Sequence, residues 1–154
     1  MDKMKTLKVA TWIVMAATLV VFIISAYNLV SFIGALLSPA SAPSLKLTQT
    51  PGTEDYILNL STNPTNTGFL GVDLSTKLTI FNADGKVVDS NITSMSVPPG
   101  QNRSCYVSLT ITKAMAPEGN IQNMKASVQF ELEVRKLWNL VGFKNVMKTG
   151  SGQE

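Results

Sequence analysis

The sequence predicts an N-terminal transmembrane α-helix followed by an all-β antiparallel sandwich of about seven strands. Two observations carry this. Residues 9–37 form a run without a single charged side chain. Beyond residue 44, apolar and polar residues alternate in short stretches divided by Pro-Gly, Asn-Pro, Asp-Gly and Pro-Pro-Gly turns. Alternation with period two marks strands that bury one face, and such turns mark where each strand stops.

The first eight residues are a basic head. Lys3, Lys5 and Lys8 stand against Asp2, and positive charge before an apolar segment predicts a cytoplasmic N-terminus. Residues 9–37 follow as the transmembrane helix. At about 1.5 Å per residue this run reaches roughly 43 Å, more than a bilayer core needs. It is therefore expected to tilt, or to raise its last turns clear of the lipid. A cleaved signal peptide also has a basic head and an apolar middle, and Ile24-Ser25-Ala26 offers a weak cleavage site. The apolar run continues past that site to Leu37, which favours an uncleaved anchor. Tyr27, Asn28, Ser31 and Gly34 are candidate contacts for a partner helix, with polar residues tolerated near an interface as the competing reading.

Residues 38–44 read as a Pro/Ser linker that no helix crosses. The outer domain is expected over residues 45–148. Strands are predicted at 45–48, 56–61 and 70–81. Asn82-Ala83-Asp84-Gly85 is a hairpin turn, Gly85 supplying the positive φ, and 86–92 pairs back. After the turn at Val97-Pro98-Pro99-Gly100, residues 104–112 alternate with Cys105, Val107, Leu109 and Ile111 inward. Residues 113–123 are irregular, with one helical turn expected around Ala114 to Ala116 before Pro117. Residues 127–135 form a strand with Val128, Phe130, Leu132 and Val134 inward. Residues 137–148 are apolar but aperiodic, and 149–154 are a flexible tail.

Composition narrows the chemistry. The chain has no His and one Cys, so His-based acid–base catalysis and an intrachain disulfide are excluded. Cys105 lacks a His to activate it and reads as a core residue. Asp73, Asp84 and Asp89 lack the spacing of a calcium loop. Glu131 and Glu133 alternate with core positions and read as an exposed sheet face. No metal, cofactor or catalytic residue is expected. The net charge of +3 sits mostly in the head, which is a topology signal; a nucleic-acid interface needs a clustered basic face. Arg135, Lys136, Trp138, Phe143 and Lys144 form a basic and aromatic candidate surface for lipid headgroups or a protein partner. The competing reading places Trp138 at the end of the core. Sequons occur at Asn59, Asn91 and Asn102, about as many as chance gives. Asn91 and Asn102 are the candidate N-glycosylation sites if the domain lies outside the cell.

The outer domain resembles the LEA type 2 domain, also described as LEA14-like or as the water-stress-hypersensitivity domain. The resemblance covers roughly residues 45–148. It rests on the order of four motifs: Asn63-Pro64-Thr65-Asn66 after a strand, Leu78 to Val88 through the Asp84-Gly85 hairpin, Val97-Pro98-Pro99-Gly100 before an alternating strand, and Leu132-Glu133-Val134-Arg135 followed by Leu140 to Lys144. Thr65 stands where the family usually has Asn. The resemblance implies a sandwich of about seven strands with a short helix within 113–123, no catalytic residues, and a strand at the C-terminus. A single membrane helix before such a domain is a known arrangement in plant and archaeal members.

The function expected is non-enzymatic: a single-pass membrane-anchored interaction or structural module, or an accessory subunit of a membrane or cell-surface complex. Its partners would be the lipid bilayer and other membrane proteins. The alternative is a lipid-binding or stress-protective LEA type 2 module at the membrane surface.

Overall fold

The computed structural model describes residues 3–117, 119, 126–136 and 141–149. One long helix, α1 (Lys3–Leu36), precedes seven strands: β1 (Ser44–Gln49), β2 (Tyr56–Thr62), β3 (Val72–Phe81), β4 (Val87–Val97), β5 (Cys105–Ile111), β6 (Ser127–Lys136) and β7 (Val141–Thr149). The strands form two antiparallel sheets, one ordered β1-β2-β5 and the other β4-β3-β6-β7. The chain is an N-terminal apolar helix followed by a seven-stranded β-sandwich.

Alternation builds the core. Along β5, buried and exposed residues take turns, so Val107, Leu109 and Ile111 meet Leu58 and Leu60 of β2 from the same sheet. Across the sandwich they face Leu78, Ile80 and Val128. The two sheets thus fill the space between them with aliphatic side chains. β3 is the centre of the larger sheet. It pairs with β4 and β6, Leu78 lying opposite Asn91 on one side and Phe130 on the other. The Asn82–Gly85 hairpin closes as expected: Gly85 has φ 75°, and the Asn82 side chain accepts from the Asp84 and Lys86 backbone N–H groups at 3.1 and 2.9 Å.

Three expectations change. β4 runs on to Val97, well past residue 92. Its inward positions Asn91 and Thr93 are polar because they meet the neighbouring edge of the other sheet. Asn91 Nδ2 donates to the Ser108 carbonyl and Thr93 Oγ1 to the Tyr106 carbonyl, both at 3.1 Å. Two edge carbonyls of β5 that would otherwise face water are capped in this way. β3 starts at Val72, two residues later than predicted, because the Leu70 carbonyl is taken by asparagine side chains. The linker is a folded turn: Ser41 N and Ala42 N donate to the Ser38 carbonyl at 3.0 and 2.8 Å. Residues 113–116 form one turn on the Thr112 carbonyl. Residues 118, 120–125 and 137–140, including Trp138, and the tail from 150 lie outside the described residues.

Candidate functional site

The helix divides into two parts. From Leu7 to Ile24 every residue is exposed. Hydroxyls within this stretch satisfy themselves: Thr11 and Thr18 each donate to the carbonyl four residues back at 2.9 Å. That is how a polar side chain is carried in an apolar medium with no water to bond. The segment from Leu7 to Leu36 is long and apolar enough to cross a membrane.

From Ser25 onward one stripe of the helix is buried. Ser25, Asn28, Phe32 and Leu36 recur at helical spacing, and Phe32 is 0 % exposed. Phe32 and Leu36 join Val72, Leu74, Val97, Cys105, Leu132 and Val134 in a second hydrophobic cluster, with Leu29, Met95, Phe130 and Phe143 packed against it. These residues come from β3, β4, β5, β6 and β7. The last three turns of α1 therefore close one end of the sandwich.

Asn28 fixes this docking. Its Oδ1 accepts from the backbone N–H groups of Phe69 and, at 3.3 Å, Leu70, and its Nδ2 donates to the Leu70 carbonyl at 3.3 Å. Asn66 holds the same loop from the domain side. Its Nδ2 donates to the Leu70 and Val97 carbonyls, both at 2.8 Å, and its Oδ1 accepts from Gly68 N at 3.0 Å. Gly68 is required there, because a Cβ would run into the Asn28 amide. Two side chains thus satisfy a partly buried loop backbone that neither sheet reaches.

The candidate residues scatter accordingly. Asn28 was expected to meet a partner helix, but its amide is engaged by the chain's own loop. Ser31 is half-buried, whereas Tyr27 and Gly34 remain exposed. On the basic surface, Arg135 pairs with Glu133 and Lys144 with Glu131, each at 2.8 Å. Phe143 is half-buried in the helix-end cluster. Of the described side chains in this set, Arg135 and Lys144 are neutralised by the carboxylates between them and the Phe143 ring packs inward. Lys136 is the last residue of β6, and Trp138 is outside the described residues. The Glu131 carboxyl is held below its ordinary value, first by the Lys144 hydrogen bond.

Asn91 and Asn102 carry exposed side chains whose amides already donate within the chain. Asn91 bonds the Ser108 carbonyl, and Asn102 bonds Thr65 Oγ1 at 2.8 Å and the Asn63 carbonyl at 3.3 Å. Cys105 is buried, its thiol donating to Thr76 Oγ1 at 3.7 Å. Burial pushes the thiol pKa up, against a smaller lowering by the Thr76 contact. Among the described residues no group of carboxylates and thiols is placed to hold a metal ion. Two surface clefts are open and partly polar: one is bounded by Asp89, Asn91 and Ser108, the other by Asp73, Glu133 and Arg135.

No family model matches the chain, and no curated protein matches it. Solved structures are similar to the sandwich at low identity. Bacteroides uniformis β-glucuronidase 2 shares 15% identity with a TM-score of 0.47, over 73% of this chain and 13% of that one. Parabacteroides merdae β-glucuronidase shares 17% at a TM-score of 0.43, over 70% of this chain and 12% of that one. The putative ApaA protein from Bordetella pertussis shares 10% at 0.43, over 70% of this chain and 87% of that one. This chain spans about an eighth of the glucuronidases' length. Similarity this low says nothing about activity, substrate or partner.

Proposed function

We propose that the protein is a non-enzymatic, single-pass membrane protein whose sandwich acts as an interaction module or as an accessory subunit of a membrane or cell-surface complex. The N-terminus is cytoplasmic and the sandwich lies on the other side, in keeping with the basic head. The resemblance to LEA type 2 domains belongs to this proposal.

One observation carries it. The apolar helix does not end before the domain; its last turns belong to the domain's own core. A leader cut in the linker would strip Phe32 and Leu36 from the folded interior. A cut at Ala26 would leave them in place but release the domain from the membrane, and the apolar run that continues past that site to Leu37 speaks against it. Retention of the helix holds the sandwich at the membrane surface, as a subunit presenting a surface to neighbours requires. The chemistry points the same way: there is no His in the sequence, and the single thiol is buried with a raised pKa. The lipid-binding alternative gains no support from the interior, where aliphatic side chains of both sheets fill the core.

Mild extraction of native membranes tests the reading. The expected result is an intact chain, its mass including the helix, recovered with a stoichiometric membrane partner. Recovery of a chain lacking residues 1–26, or of an intact chain alone, contradicts it.

A further inference from the structure

We propose that the loop of residues 67–71 is a second membrane contact, with Phe69 seated in the lipid headgroup layer beside the helix; this rests on the anchored reading above. The level of the membrane boundary follows from α1. Its fully exposed uncharged stretch runs from Val9 to Ile24, and Ser25 is the first residue shielded by the domain. At about 1.5 Å per residue that stretch covers roughly 24 Å, which with the next turn reaches the about 30 Å of a hydrocarbon core. Asn28, four residues or roughly 6 Å beyond Ile24, then stands at the boundary.

The loop is tied to that level. The Phe69 backbone N–H donates to the Asn28 side chain, so the residue lies within one side chain's reach of the helix. Asn66 pins Gly68 and Leu70 on either side of Phe69. The ring itself is 76 % exposed, more than any other large apolar side chain among the described residues. Gly68 beside it is buried and Leu70 half-buried, and holding a phenyl ring in water between them is costly. The same cost is absent in the interfacial layer of a bilayer, where aromatic rings are favoured. Tyr27, 63 % exposed and adjacent to Asn28 in sequence, stands at the same level. Helix and loop together give two points of contact, which fix the domain's tilt where one helix alone leaves it free to swing.

The test uses the full chain in phosphatidylcholine vesicles whose acyl chains carry bromine at chosen depths. One protein is W138F, which keeps the native Trp12 in the helix. A second is W12F/W138F/F69W. A third, W12F/W138F/V87W, places the reporter at the exposed Val87 beside the opposite hairpin. The proposal expects Trp12 to be quenched by deep bromines. It expects the F69W reporter to be quenched severalfold more than the V87W reporter, and best by bromines near the headgroups. An unquenched Trp12 overturns the anchored reading and the proposal with it. A quenched Trp12 with equal quenching at positions 69 and 87 overturns the loop contact alone. If the Trp replacements disturb folding, F69C and V87C are compared for labelling by a charged, membrane-impermeant maleimide in vesicles. Slower labelling at 69 supports the contact, and equal rates overturn it.

Discussion

From Leu7 to Ile24 every side of α1 is exposed, and from Ser25 one stripe of it is buried. Both parts are apolar in sequence, and no charge divides them. From Val9 on, the first has only aliphatic and aromatic surface with hydroxyls bonded back to the helix, and it is suited to lipid. The second is equally free of charge but carries Ser25, Asn28 and Ser31, and it has a partner: the open end of a sandwich. The comparison teaches that apolarity alone does not tell a membrane-facing turn from a core-facing one. What tells them apart is a polar side chain at helical spacing that has somewhere to bond, and here that is Asn28.

The largest effect separates the two parts by one phenylalanine from each. Phe32→Ala removes a fully buried ring, and such truncations cost about 3–5 kcal/mol. Phe22 is 59 % exposed, so Phe22→Ala leaves domain stability within about 0.5 kcal/mol. Denaturant midpoints of the full chains in one detergent check both. Equal shifts for the two variants break the comparison.

A smaller effect probes the latch. Asn28→Ala leaves the Phe69 and Leu70 N–H groups without their partner, at a cost of about 1–3 kcal/mol. Gly68→Ala reaches a similar loss from the other side, because its Cβ displaces the Asn28 amide and overpacking costs about 1–3 kcal/mol. Since both variants break one contact, the double variant is expected to lose much less than the sum. Full additivity in the same unfolding measurement argues that the two residues do not act together.

The smallest effect is electrostatic and lies away from the helix face. Glu131 has its pKa lowered on folding, chiefly by the Lys144 hydrogen bond, burial opposing. A carboxyl lowered on folding lends stability above its ordinary value of 4.5 and loses it as pH falls through the folded value. Glu131→Gln therefore loses a small amount of stability at neutral pH, small because the Lys144 end of the pair is solvent-screened, and matches the parent chain at acid pH, so its acid limb below about pH 4.5 is flatter. An unchanged acid limb contradicts the pairing.

Much of the sandwich was legible in the sequence, because burying one face of a strand writes itself as alternation. β5 and β6 are the clearest cases, with Val107 to Ile111 and Val128 to Val134 inward. The hairpin at Asp84-Gly85 was legible through its glycine. β4 was cut short because Asn91 and Thr93 are polar at inward positions, and their partners on β5 are invisible to a local pattern. The C-terminal strand β7 was not legible from periodicity; only the family resemblance implied it. The junction itself was half legible. Asn28 stood out as a polar residue in an apolar run, but its partners lie some forty residues on, at Phe69 and Leu70. Nothing local distinguishes a partner in another chain from a loop in the same one. Phe32 and Leu36 were hidden for a related reason: exposed Val30 and Leu37 make the opposite face apolar too, so no stripe stands out.

The claim that the distal half of α1 is part of the domain is tested most directly by two truncations. One chain lacks residues 1–24 and the other lacks residues 1–37, and thermal unfolding of the two is compared. The account predicts that the first unfolds cooperatively near the midpoint of the full chain. The second, having lost Asn28, Phe32 and Leu36, is destabilised by several kcal/mol or does not fold. Two chains with the same cooperative midpoint would contradict it.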